Sequence, residues 1–222
     1  MEKTTAKTAK EKKSPEAQIK EAYITYLLEH GQAPASVFKF AKLLKMKEED
    51  FYNYYNSFEG VESAIWTDIF GETKSRLDQD KTYIQYSVRE KLLAFYFTWL
   101  EVLKSNRSYI QYSLQQIKEK KSLDPTVLKG FKSAFKQYAE ELMSEGKETD
   151  EVVARPVISD RYADLLWMQA MFLLNFWQKD TSKGFERTDA AVEKAVNLFF
   201  DLIGKSALDS MLDFAKFIYQ NK

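Results

Sequence analysis

Cysteine is absent from the 222 residues, which excludes disulfide bonds, thiolate catalysis and cysteine-ligated zinc together. That absence is compatible with a reducing cytoplasm, the compartment expected here. Glycine and proline are scarce, at seven and four, leaving little turn chemistry for an all-β fold and favouring long helices. The lone histidine, His30, has no second ligand of suitable type near it in sequence, so neither a metal nor a catalytic role is expected for it. No apolar run approaches the roughly 18 residues of a membrane span. The charged N-terminus also lacks the apolar core segment of a secretory signal. Lysine plus arginine equals aspartate plus glutamate at 33 each, so the whole molecule is not an obvious polyanion binder. No nucleophile-base pair, glycine-rich phosphate loop or metal spacing occurs, and carboxylate pairs such as Glu140-Glu141 read as solvated helix faces. A non-enzyme without a cofactor is expected.

What is present is apolar and aromatic. The apolar share is 45%, with 16 Phe, 13 Tyr and 4 Trp, enough for a substantial buried core and pointing to an all-α protein. Charge is distributed unevenly. Residues 1 to 47 hold ten Lys against five Glu, whereas residues 48 to 62 hold Glu48, Glu49, Asp50, Glu59 and Glu62 with no basic residue. Residues 1 to 14 carry Lys3, Lys7, Lys10, Lys12 and Lys13 without a run of large apolar residues, so a disordered basic arm is expected. Such an arm either tracks phosphates or is simply a solvated terminus.

Ser14-Pro15-Glu16 opens a first helix, with Ser14 as N-cap and Pro15 at its first position; Ile19, Ala22, Tyr23, Tyr26 and Leu27 form its stripe, and Gly31 stops it. Val37, Phe40, Ala41 and Leu44 then recur at helical spacing behind a Ser36 cap. After a short break at Met46, Phe51, Tyr54 and Tyr55 form a second small apolar face. Two short helices around a tight turn are the pattern of a helix-turn-helix, which lays its second helix in the DNA major groove. Lys39, Lys42, Lys45 and Lys47 decorate the first of the pair and the turn. Tyr52 and Asn53 are candidate readers, since a phenol bonds phosphate and an Asn amide pairs with adenine; the alternative for Tyr52 is a half-exposed aromatic. Glu48, Glu49 and Asp50 suit a helix N-terminus but oppose a groove walled by phosphates.

Longer helices follow. Ile65, Trp66, Ile69, Phe70 and Leu77 predict a connecting helix, with a polar loop from Asp78 to Tyr86. Val88, Leu92, Phe95, Tyr96, Trp99 and Leu103 predict a helix buried nearly all round. Further helices are predicted through Tyr109 and Ile117, from Asp124-Pro125-Thr126 to a stop at Gly146 and the polar Lys147 to Glu151, from Asp160 to a break at Asp180 to Gly184, and from Val192 to Ile203. The set from Leu208 to Tyr219 is amphipathic and either lies on a membrane, through residues 205 to 219, or caps the bundle. Tyr96, Trp99, Tyr109, Tyr112, Tyr138, Trp167 and Trp177 exceed what a simple helical core requires. They either line a cavity for a hydrophobic or aromatic small molecule or are packing.

The run Phe51-Tyr52-Asn53-Tyr54-Tyr55, with Ser57, Glu59 and a Phe40-Ala41 pair, resembles the end of the helix-turn-helix in TetR-type regulators, over residues Ile19 to Trp66. The resemblance implies a three-helix head over residues 15 to 60, ahead of a larger helical bundle over residues 61 to 222 for ligand binding and dimerisation. It implies double-stranded DNA as a partner, Ser36 as a phosphate contact, an inducer pocket, and a homodimer through residues 160 to 178 and 188 to 203. The chain departs from that pattern at Glu48, Glu49, Asp50, Asn56 and Phe58, where small, hydroxyl or basic residues are usual. The alternative is a TetR-fold protein that binds a lipid or hydrophobic small molecule and has lost DNA binding, as in ubiquinone-biosynthesis accessory proteins that resemble TetR.

Overall fold

The computed structural model describes residues 13–119, 125–153, 159–204 and 218. Of the basic arm expected over residues 1 to 14, residues 1 to 12 lie outside them, as do Asp124 and the amphipathic set from Leu208 to Ala215 with Tyr219. Contacts divide the chain into two compact units, residues 1–65 and 66–222. Among the described residues there are nine α-helices and no strand, as an all-α fold requires.

The first unit is built on α1 (Pro15–His30), α2 (Val37–Leu43) and α3 (Glu48–Tyr52). Local chemistry sets their ends. Ser14 Oγ accepts the Ala17 N–H at 3.2 Å, and Gly31, at φ +65°, donates its N–H to Leu27 O at 2.8 Å. Ser36 Oγ accepts the Lys39 N–H at 3.3 Å to open α2. The turn passes through Lys45 at φ +55°, and Lys47 N–H donates to Asp50 Oδ2 at 3.1 Å to open α3. Between the helices the rings of Tyr23, Phe40, Phe51 and Phe58 meet, with Tyr23 stacked on Phe58 at 5.3 Å and Phe40 edge-on to Phe51 at 6.3 Å. Each such ring contributes about 2 kcal/mol by leaving water. The apolar face expected at Phe51, Tyr54 and Tyr55 needs one correction. Phe51 and Tyr55 are buried, but Tyr54 is 43% exposed. The cause is that α3 ends at Tyr52, after which the N–H groups of Tyr54 and Tyr55 both bond Phe51 O in a turn, so helical periodicity no longer sets which side chain points inward.

Helix α4 (Phe58–Gln79) begins in the first unit and continues into the second. There α5 (Val88–Ser105) is the central element, opened by a capping box in which Ser87 N–H donates to Glu90 Oε2 at 2.8 Å and Glu90 N–H to Ser87 Oγ at 3.3 Å. Around it stand α6 (Arg107–Glu119), α7 (Lys129–Glu148), α8 (Tyr162–Lys179) and α9 (Glu186–Ile203), with α7 against α8 and α9 against both α5 and α8. Phe95, Trp99, Phe131, Phe135 and Tyr138 form a continuous ring cluster at the centre, Phe95 stacking on Tyr138 at 4.8 Å and Trp99 on Phe131 at 5.5 Å.

Several expected boundaries shift. The loop after α4 contains a single 3-10 turn, Tyr83–Gln85. One such turn, Thr126–Leu128, precedes α7, and another, Ser159–Arg161, precedes α8. Helix α7 ends at Glu148, within the expected polar stretch from Lys147 to Glu151, and Gly146 lies inside the helix and not at its stop. A Cβ at Gly146 would stand 2.5 Å from Val152 Cγ2, so the glycine is there for close approach and not for a turn. Among the described residues no helix is long and apolar enough to cross a membrane.

Candidate functional site

On the first unit, α2 and the turn present Lys39, Lys42, Lys45 and Lys47, all exposed. Lys47 is bound to Glu49 at 3.0 Å, whereas no carboxylate among the described residues pairs with Lys39, Lys42 or Lys45. Ser36 is half-buried and its hydroxyl oxygen serves the α2 cap, which leaves the hydroxyl proton to donate outward. Tyr52 is 52% exposed at the end of α3, its phenol donating to Glu48 Oε1 at 3.4 Å, and Asn53 is exposed just beyond it as the C-cap. The three carboxylates of α3 are thus engaged inside the head: Glu48 by Tyr52, Glu49 by Lys47, Asp50 by the Lys47 amide. Phe38 and Leu43, at 60% and 64% exposure, share α2 with the unpaired lysines, so this face is both cationic and apolar.

In the second unit the seven aromatic residues singled out in the sequence do not gather around one cavity. Tyr96, Trp99, Tyr109, Tyr138 and Trp177 are buried. Tyr96 donates its hydroxyl to Leu166 O at 3.3 Å, and burial pushes its phenol well above the ordinary range. Tyr138 is raised for the same reason and shares a 3.0 Å hydroxyl contact with Tyr83, whose ring lies 5.5 Å from Lys74 Nζ. Trp177 packs beside Phe185, with the Arg107 guanidinium 4.7 Å from both rings. Tyr96, Trp99 and Tyr138 all pack against Phe95, so these three rings fill the core and do not wall a cavity. Tyr112 and Trp167 are half-buried.

Of the seven, Trp167 lines an open pocket of about 210 Å³ between α6, the turn before α7, and α8. Its other walls are aliphatic, from Leu114, Ile117, Leu128, Met171 and Leu174, with Lys118, Asn175 and Gln178 supplying the polar groups. Sequence reasoning passed over these residues because Leu, Ile and Met at helical spacing look the same whether they face a core or a cavity.

A second feature lies along α8 and α9. Leu165, Met168 and Phe172 on α8, and Leu198 and Leu202 on α9, are between 42% and 65% exposed. They line an apolar groove of about 810 Å³ floored by Ala190, Ala191 and Ala195. Gln169 ties the two helices together by donating to Ala195 O at 2.8 Å. The helices are anchored at their junction by Asp180, which accepts from the N–H and hydroxyl groups of Ser182 at 2.8 and 2.6 Å and of Thr188 at 2.9 and 2.6 Å.

A family model described as Tetracyclin repressor-like, C-terminal domain, matches residues 91–218, more than half of the chain. The chain belongs to the tetracycline-repressor-like family. The matched stretch takes in α6, α7, α8 and α9, and hence both the pocket and the apolar groove. The structure of the fatty acid degradation regulator FadR from Bacillus halodurans is similar to this tetracycline-repressor-like chain, with a TM-score of 0.55 over 86% of this chain and 97% of that one. At 22% identity that likeness is one of fold. No curated protein matches the sequence.

Proposed function

We propose that this chain is a homodimeric, ligand-responsive DNA-binding transcription regulator. The observation that carries the reading is the cationic face of the head. Lys39, Lys42 and Lys45 are exposed beside α3 without a carboxylate partner among the described residues, so their counterions are free to exchange for phosphates. Tyr52 and Asn53 stand at the end of the helix that would enter the groove, and Ser36 supplies a hydroxyl to the backbone. Family membership supports the same reading. The apolar groove of α8 and α9 supports a two-fold dimer, because bulky Met168 and Phe172 of one copy match the alanine trough of the other. A ligand in the second unit changes DNA affinity only as far as it binds one arrangement of the paired heads better than another.

A second reading is favoured by one specific feature, the carboxylates of Glu48, Glu49 and Asp50 in the first turn of α3. On that reading the fold binds a hydrophobic small molecule and has no operator. Fluorescence anisotropy separates the two. The full chain is titrated onto DNA from upstream of its own coding sequence and onto a scrambled duplex, at low and physiological salt. Preference for the native duplex that survives physiological salt is the expected result. Equal affinity for both duplexes, vanishing as salt rises, would overturn the regulator reading.

A further inference from the structure

Lys118 sits at the side of the pocket between α6 and α8, and its ammonium donates to Gln178 Oε1 at 2.5 Å. No carboxylate among the described residues pairs with it. Gln178 is itself held in place, since Gln111 Nε2 donates to its backbone carbonyl at 3.2 Å. Apart from Asn175, which stands between Met171 and Gln178 on α8, the remaining walls are hydrocarbon and indole: Leu114, Leu128, Met171, Leu174 and the ring of Trp167. Leu114, Leu128 and Leu174 are each less than a tenth exposed, so the pocket floor belongs to the packed core and does not collapse easily.

A cavity with one polar side selects by orientation. An apolar ligand body gains from the hydrocarbon walls, about 25 cal/mol for each Å² removed from water, but any molecule of the right size gains that much. The discriminating group is the cation, which among the described residues bonds a neutral amide oxygen and no carboxylate. A carboxylate at that place makes a charge-assisted bond that an amide cannot match. The volume sets the length: 210 Å³ corresponds to about seven water-sized groups at about 30 Å³ each.

We infer that this pocket takes a compact amphipathic carboxylate, with an apolar body of about seven carbons filling the space against Trp167 and Met171 and its carboxylate outside that space, at the open side on the exposed Lys118. The inference deepens the effector part of the function proposed above and rests on it only for its consequence at DNA. Binding itself is independent of that consequence.

Isothermal titration of the full chain with octanoate, and with 1-octanol as its uncharged counterpart, tests it. Octanoate is expected to bind with one-to-one stoichiometry and more tightly than 1-octanol, by a factor that falls as salt rises. Lys118→Met is expected to weaken octanoate by about three- to tenfold, as an exposed cation allows, and to remove its salt dependence. Met171→Trp fills the cavity and is expected to abolish binding of both probes. Leu114→Phe is expected to do the same, and circular dichroism melts check that each variant folds. Equal affinity for the two probes with no effect of Lys118→Met would overturn the inference, as would binding that survives both filling variants in folded protein, or no saturable binding at all. The unliganded DNA titration is read separately. Failure there sinks the regulator and leaves the pocket result standing, while failure of octanoate sinks the pocket alone.

Discussion

The indole Nε1–H of Trp66 donates to Ser113 Oγ at 3.0 Å, with both side chains buried, so a polar bond joins α4 to α6 away from solvent. Removing one partner of such a bond costs more than removing both, because the survivor is left buried without water or acceptor. Ser113→Ala is expected to destabilise the second unit by about 1 to 3 kcal/mol, read from urea unfolding. In the Trp66→Phe background the same change is expected to cost less than half as much. A cost of equal size in both backgrounds would mean that the hydroxyl matters for something other than the indole.

Gly146 illustrates a contest between propensity and packing. Alanine is the better helix former by about 1 kcal/mol. Here its methyl would meet Val152 Cγ2 at 2.5 Å and Val152 Cβ at 3.3 Å, and Val152 is only 3% exposed with nowhere to retreat. Overpacking costs of about 1 to 3 kcal/mol outweigh the propensity gain, so Gly146→Ala is expected to lower the melting temperature. Adding Val152→Ala is expected to recover part of that loss, and no recovery would place the strain elsewhere.

That glycine also marks where the sequence stops being legible. The ends of α1 were readable because Ser14, Pro15 and Gly31 act on their own neighbours, within four residues of where they stand. Gly146 looks like the same kind of stop signal, and only Val152 folding back over it shows otherwise. Tyr54 and Tyr55 differ by one position, yet the end of α3 at Tyr52 decides which is buried. The candidate site follows the same rule. Lys39 and Lys42 are recognisable from their place on a short amphipathic helix. Lys118 is not, because its significance depends on Leu114, Trp167 and Met171 leaving space between two helices. Aromatic counting left both readings open for a related reason: nothing in the sequence at Tyr96 or Trp99 tells whether a ring touches a ligand or another ring, as these two do.

The junction of α8 and α9 titrates in acid. Burial alone would raise the Asp180 carboxyl, but the hydrogen bonds from Ser182 and Thr188 outweigh it and hold the group well below the usual carboxylate range. With the folded value depressed, the stabilisation is complete above the unfolded value of about 3.9 and is lost as pH falls below it. The gap in urea midpoint between wild type and Asp180→Asn is expected to stay constant from neutral pH down to about pH 5, then to shrink progressively below about pH 4. A gap that persists unchanged into stronger acid would show that the bonds do not depend on the charge.

The lysines of the head are not equivalent. Lys39 and Lys42 are free of carboxylates among the described residues, whereas Lys47 is already bound to Glu49 at 3.0 Å. Each phosphate neutralised contributes about 0.9 to the slope of log K against log salt. Lys39→Ala and Lys42→Ala are each expected to reduce that slope by about one in the anisotropy titration, and Lys47→Ala by distinctly less. Equal losses at all of these positions would mean that Glu49 releases Lys47 on binding.

The dimer proposed above rests on the exposed apolar face of α8 and α9. Met168 and Phe172 lie one turn apart at 65% and 52% exposure, above a floor of Ala190, Ala191 and Ala195. Side chains of that size contribute about 1.5 to 3 kcal/mol each when fully removed from water. A two-fold axis through the face counts every one of them twice. Phe172→Glu places two carboxylates near that axis in a dimer and none in a buried position of the monomer, so it separates assembly from folding. Light scattering on the eluted protein is expected to give twice the 26.0 kDa chain mass for the wild type and the single-chain mass for Phe172→Glu, with unchanged circular dichroism. A variant that remains dimeric would place the interface on another face of the second unit and leave this groove to a different occupant.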